Sequence, residues 1–207
     1  MKKILITLTA MLVISASMHA QDLKEIKLNA PDKSRGSAVM KALADRQSTR
    51  EYDTKDLSLQ DLSDLLWATV GVNRPDGKRT APTAVNAQEI DIYVVRKDGA
   101  YLYDATAHSL KPVAKGDFRK AVAGQQEFAG SAPLSLVIVA DLEKMGDTHI
   151  AALDAGIAGQ NINIFCSAVG LSTVPRASWD KGELEKALKL SDKQRIFLNN
   201  PIGYPKK

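Results

Sequence analysis

The sequence predicts an α+β fold, a mostly antiparallel central sheet packed by helices. Three observations carry this. Apolar runs of strand and helix length are interleaved without the regular strand–helix–strand repeats of a parallel sheet. Ile90–Arg96 and Ala100–Asp104, rich in Ile, Val and Tyr, flank Lys97-Asp98-Gly99 as a hairpin. Thr148–Val169 is a proline-free apolar stretch long enough for a helix of roughly 33 Å, the width of a small domain.

Taken in order, residues 21–36 are polar and read as an arm crossing the surface. Val39, Met40, Leu43 and Ala44 give Ser37–Asp45 a helical stripe. Ser58 with Asp61 three residues later marks a second helix start, continuing through Leu62, Leu65, Leu66 and Val70 to Gly71. Residues 73–85, rich in Gly, Pro, Arg and Thr, form a loop before the hairpin. Residues 116–129 read as one helix carrying Phe118, Val122 and Phe128. Leu134–Ala140 is a near-continuous apolar run typical of a central strand.

Along Thr148–Val169 one apolar set comprises Leu153, Ile157, Ile164 and Ala168, extending to Leu171; a second comprises Ala155, Ala158, Ile162, Cys166 and Val169. A helix apolar on two sides is expected to be buried on two sides. Gly170 suits its C-cap, where a left-handed residue is needed. A short helix over 182–190 and a last strand at Arg195–Leu198 complete one domain over residues 37–207.

Residues 1–20 read as a secretory signal peptide: Lys2 and Lys3, then the apolar run Ile4–Ala16, then an exit at Ala20. The mature chain is therefore expected to be exported and periplasmic. Removing that segment lowers the formal net charge from +4 to about +2. With no basic cluster interleaved with aromatics, nucleic-acid binding has little support. The apolar run is too short to span a bilayer comfortably, so no membrane span is expected. Cys166, alone in the chain, cannot close an internal disulfide and reads as a small buried hydrophobe.

Gly-rich phosphate loops, Gly-x-Ser-x-Gly and His/Cys metal spacings are absent, so no catalytic side chain and no metal ligand is assigned. What remains is a set of anion-binding and amide groups at element ends. Arg46, Ser48 and Arg50 alternate after the first helix; in an extended segment they point the same way and could meet one phosphate or ring edge. Basic residues there also complement the helix dipole. Asn86 and Gln88 offer donor and acceptor together, as reading a planar heterocycle requires, or they are turn residues before a strand.

Four pieces together resemble the nitroreductase-like FMN flavoproteins: Arg46-x-Ser-x-Arg50, Pro82-Thr-Ala-x-Asn86-x-Gln88, Asp154-Ala-Gly156 with the long helix and Gly170-Leu-Ser-Thr-Val-Pro175, and Gly203-Tyr-Pro with terminal lysines. The Arg-Thr-x-Pro-Thr-Ala spacing and short length look closest to the branch with thiazoline/oxazoline-type dehydrogenases. The resemblance implies FMN as cofactor, a homodimer with flavin at the subunit interface, and hydride ping-pong through the ring. It implies that Arg46 and Ser48 hold the phosphate, with Lys206 or Lys207, and that Arg50 faces the pyrimidine edge. It places Asn86 at the amide edge and Pro175, Arg176, Ala177 and Ser178 beside the ring, with a backbone N–H near N5. Gln47, Pro82 and Thr83 join the cofactor-binding set.

Ala84, Ser172 and Ala177-Ser178 depart from the family pattern. The implied activity is an oxidoreductase acting on a small nitroaromatic- or quinone-like acceptor. The alternatives are an exported flavin-binding module without efficient turnover, which those departures favour, and a structural secreted protein.

Overall fold

A computed structural model describes residues 22–207; the leader expected at residues 1–20 lies outside the described residues. The elements in chain order are β1 (Ile26–Lys27), α1 (Val39–Asp45), α2 (Leu59–Val70), β2 (Ile90–Arg96), β3 (Gly99–Asp104), β4 (Ser109–Lys115), α3 (Arg119–Ala123), β5 (Leu134–Asp141), α4 (Thr148–Val169), β6 (Ser172–Thr173), α5 (Lys181–Ala187) and β7 (Gln194–Gly203). The strands form one sheet in the order β1-β4-β3-β2-β5-β7-β6, and every pair is antiparallel. Among the described residues no helix is long and apolar enough to cross a membrane.

β5 lies between β2 and β7 and is covered on both faces, which explains its unbroken apolar run. Leu136, Ile138 and Ala140 face one core, with α2 residues Leu62, Leu65 and Leu66 and α4 residues Ala155, Ala158, Ile162 and Cys166. Val137 and Val139 face the other, with Val122 of α3 and Leu184 and Leu188 from the α5 region. Successive strand side chains point to opposite faces, so one strand serves both layers.

The helix ends follow their sequence signals. Ser58 Oγ accepts from the Asp61 N–H at 3.0 Å. Asp147 caps α4 by accepting from His149 N at 2.8 Å. Gly170 closes it in the left-handed region at φ 75°.

Three expectations are corrected. Residues 116–129 are not one helix: Gly124, at φ 56°, ends α3, and a 3-10 turn over Glu127–Ser131 follows. A side chain at Gly124 would also press on the backbone of Trp179 and Asp180, at 3.0 and 3.2 Å. Residues 109–115, given no element from the sequence, form β4 although Pro112 lies within it. Its outer neighbour β1 pairs only with Ser109 and Leu110, so the missing N–H of Pro112 falls beyond that ladder. The arm contributes β1, and the last strand runs to Gly203 rather than Leu198. Within a single chain α4 packs the sheet with one side and leaves Leu153 and Ile157 on the other 56% and 40% exposed.

The buried side of α4 approaches the sheet through small residues. A Cβ at Gly159 would lie 3.2 Å from Leu198 Cδ1 and 3.5 Å from Ile138 Cδ1. Gly159→Val is therefore expected to cost about 1–3 kcal/mol by overpacking, despite its better helix propensity. Urea unfolding measures this; unchanged stability would show that the interface is looser than described.

Candidate functional site

The segment after α1 is held between two other parts of the chain. Arg46 N–H closes α1 on Ala42 O, and Thr49 N–H donates to Thr173 O of β6 at 2.9 Å. On the other side Tyr52 forms a β-bridge with Pro205, and Asp53 N–H donates to Tyr204 O at 2.9 Å. Tyr204 is itself anchored, its hydroxyl donating to Asp61, which also pairs with Arg35. Arg46–Arg50, the segment leading into Pro175 and the terminal Lys206 and Lys207 thus converge at one end of the molecule.

A cleft of about 300 Å³ lies among them, lined by residues including Gln47, Thr49, Asn163, Ser167, Thr173 and Pro205. Beside it a second cavity of about 280 Å³ is lined by Arg50, Gln126, Phe128 and Val174–Ser178. The donor chemistry suits a phosphorylated, planar ligand. Arg46, Ser48, Arg50, Lys206 and Lys207 are exposed, and among the described residues none of these cations has a carboxylate partner. Nor do the N–H groups of Ala177 and Ser178 donate to any partner among the described residues, leaving them free beside the second cavity.

Arg176 behaves differently from its neighbours. Its backbone N–H and C=O pair with Asn199 of β7, both at 2.8 Å. Its guanidinium turns inward, donating to Gln126 Oε1, Val122 O, Asn199 Oδ1 and Ala123 O at 2.8, 3.0, 2.7 and 2.8 Å. Asn199 Nδ2 donates to Ser178 O at 3.0 Å, fixing the far end of the same segment. Arg176 therefore braces the 175–178 run against β7 and the end of α3.

Pro82, Thr83 and Asn86 lie elsewhere. Their loop is anchored to the first half of α4, where Asp154 Oδ2 accepts from Ala84 N–H at 2.8 Å. The other cluster is tied to the last half, where Ser167 Oγ donates to Ala42 O at 2.7 Å. Asp154 and Ser167 are thirteen residues apart on one helix, about 20 Å. The loop is strained: Val85, Asn86 and Gln88 sit at φ 48°, 57° and 50°, the left-handed region that side chains disfavour. Gln88 N–H caps onto Thr83 Oγ1 at 2.9 Å, and Gln88 Nε2 donates to Gly77 O and Asn86 Oδ1 at 3.1 and 3.3 Å. Gln88 is thus a loop brace. Asn86 is exposed, and its Nδ2 has no partner among the described residues.

Two further groups escaped the sequence-level site. Phe128 lines the second cavity, its ring centroid 5.9 Å from the Arg50 guanidinium and 5.6 Å from that of Arg176. Glu89, fully buried behind the strained loop, makes no hydrogen bond with either carboxyl oxygen among the described residues. Burial, and then the adjacent Asp154 carboxylate, hold its proton above the usual carboxyl range; Lys144 opposes this. An isolated Glu before a strand carries no sequence signal that its neighbour is an acid 65 positions away.

Comparison with known proteins places this geometry. A family model described as the nitroreductase family matches residues 43–204. A nitroreductase-type protein of Methanocaldococcus jannaschii is 28% identical over 197 residues, covering 88% of this chain and 93% of its own. The crystal structure of a nitroreductase-type protein from Ralstonia eutropha JMP134 matches with a TM-score of 0.82 at 36% identity, over 88% of this chain and 90% of that one. An FMN-dependent nitroreductase from Clostridium difficile R20291 shares the fold with a TM-score of 0.60 at 20% identity, over 81% and 88% of the two chains.

The raised pKa of Glu89 fixes a sign. The folded state holds the proton more tightly than the unfolded chain, so this group's contribution is intact below the ordinary carboxyl pKa. It is lost as pH rises through the folded value. Glu89→Gln removes the titration, so its melting temperature should exceed the wild type's increasingly as pH rises from about 4.3, the ordinary Glu pKa. Parallel wild-type and variant profiles would contradict a protonated Glu89.

Proposed function

The chain belongs to the nitroreductase family, and from that premise we propose that it is an FMN-dependent oxidoreductase. It takes electrons from a reduced donor and delivers them to a small organic acceptor of nitroaromatic or quinone type. The Arg-Thr-x-Pro-Thr-Ala spacing supports the branch with thiazoline/oxazoline-type dehydrogenases. The observation that carries the reading is the convergence of unpaired cations, free backbone donors and a cavity around Arg46–Arg50 and Val174–Ser178.

Arg46 and Ser48, with Lys206 or Lys207, hold the phosphate through charge-assisted hydrogen bonds. Arg50 faces the pyrimidine edge, and because arginine stays protonated it retains its charge in every redox state. Ala177 and Ser178 offer backbone N–H groups beside the ring, and the Arg176–Asn199 bracing keeps them in place. When bound, the flavin accepts and releases the two electrons; no side chain acts as nucleophile or base.

Asn86, with Pro82 and Thr83, reaches the ring from a second copy of the chain. Its loop and the cation cluster are anchored at opposite ends of α4. Pairing two α4 helices antiparallel brings the loop of one subunit over the cations of the other. The surface on that side supports this pairing: Leu153 and Ile157 of α4, Val39 and Met40 of α1, and Val85 at the loop tip are all exposed, Val85 by 92%. Gly156 between the two α4 residues has open space above it, so a second helix can approach closely.

Export, proposed from the leader, places the mature protein in the periplasm, away from soluble NAD(P)H; a quinone or protein is then the natural donor. Ala84, Ser172 and Ser178 favour a second reading, a flavin-binding module without efficient turnover.

The mature protein with added FMN should run as a dimer with bound-flavin absorbance. Arg46→Ala and Arg50→Ala should each weaken FMN about tenfold or more, the 1.5–3 kcal/mol of a hydrogen bond to a charged group. Leu153→Asp should yield a monomer with little flavin. A wild-type monomer without flavin, or arginine variants of unchanged affinity, would overturn the site. Dithionite-reduced flavin that nitroaromatics and quinones fail to reoxidise would favour the binding module. Rapid reduction by NADPH would exclude the different donor.

A further inference from the structure

We infer that Arg176 is a second fixed positive charge for the ring site, an electrostatic positioning residue that favours the cofactor in its reduced, negatively charged form. The inference rests on the flavin site proposed above and concerns a residue whose side chain faces into the protein.

Arg176 is only 6% exposed, yet among the described residues it has no carboxylate within 4 Å. Its four hydrogen bonds go to two backbone carbonyls and to the amide oxygens of Gln126 and Asn199. Those acceptors satisfy most of the guanidinium N–H groups but leave the net charge uncompensated. A buried charge without a partner of opposite sign is costly. A brace between α3 and β7 needs the hydrogen bonds, but it does not need the charge to stay unpaired. A glutamate at position 126 or an aspartate at 199 would neutralise it at the same distances, and both positions hold the amide instead. Burial lowers the Arg176 pKa, though an arginine does not lose its proton in a protein.

The location gives the charge its use. Arg176 lines the 280 Å³ cavity together with Arg50, and both guanidinium groups approach Phe128. Arg50 is exposed and partly screened by water, whereas Arg176 acts from a low-dielectric position where the same separation is worth more. An occupant that gains negative charge on reduction is stabilised more than its neutral form. Arg176 therefore biases the redox equilibrium rather than overall binding.

The test measures FMN affinity in the oxidised and dithionite-reduced states for wild type and four variants. Gln126→Glu pairs the guanidinium from an exposed position, so folding is preserved. The ratio of reduced to oxidised affinity should fall tenfold or more, about 30 mV for a two-electron couple, while the melting temperature is maintained or raised. Arg176→Gln should move the ratio in the same direction, and Arg176→Lys should hold it within threefold. Gln125→Glu, one residue away and with no hydrogen bond to Arg176 among the described residues, controls for added negative charge and should shift the ratio far less.

A Gln126→Glu shift no larger than that of Gln125→Glu overturns the inference, as does a folded Arg176→Gln with the wild-type ratio. If Arg176→Gln does not fold, Gln126→Glu decides. Wild-type protein that binds no FMN removes the proposed function and this inference together; FMN binding with an unshifted Gln126→Glu ratio removes this inference alone.

Discussion

Everything that positions the candidate site depends on the close packing of α4 against β5 and β7. Gly159, Ala155 and Ala158 let the helix sit on Ile138 and Leu198 without an intervening layer of large side chains. That contact fixes the helix along its length, and each end then carries a different part of the site. Asp154 near the start holds the strained 83–88 loop through Ala84 N–H. Ser167 near the end holds α1, and Gly170 turns the chain into β6. A looser helix would let both move independently, and the left-handed residues at 85, 86 and 88 would have little to hold them.

β7 does comparable work for the 172–178 segment, using two adjacent asparagines. Because successive strand residues face opposite sides of a sheet, Asn199 reaches Arg176 and Ser178 while Asn200 reaches Asn163 and Thr173. The segment is held from both sides of the sheet edge by amides, which carry no charge of their own. Rigidity is thereby obtained without a carboxylate among the residues that line the second cavity. Glu89 and Asp154, two of the four buried acids among the described residues, sit at the other end of α4, where Asp154 supports the loop.

Much of this was legible in the sequence where the signal is local. Ser58, Gly170 and the 22-residue apolar stretch marked their helices, and Val/Ile-rich runs marked β2 and β5. The Arg46–Arg50 spacing and the Pro82–Gln88 motif were visible as motifs. What was not legible depends on partners distant in sequence. β4 was not read from the sequence, and its tolerance of Pro112 depends on how short β1 is. Gly124 looked like a residue within a helix, and the backbone of Trp179 and Asp180 that a side chain there would meet is distant in sequence. Arg176 read as a ring-side residue from its neighbours, but its acceptors are supplied by α3 and β7. Phe128 acquires its role only when residues 50 and 176 arrive beside it.

The account's central claim is that one flavin site takes its cations from one subunit and its strained loop from the other. Subunit complementation tests it most directly. A chain lacking Arg46 and Arg50 side chains and a chain lacking the Asn86 side chain are each measured for FMN binding, then refolded together. The mixed dimer contains one site with both defects and one with neither, so the mixture should recover wild-type affinity at a fraction of its sites. Mixtures that bind no better than the two parent variants would contradict the shared site and return both halves to a single chain.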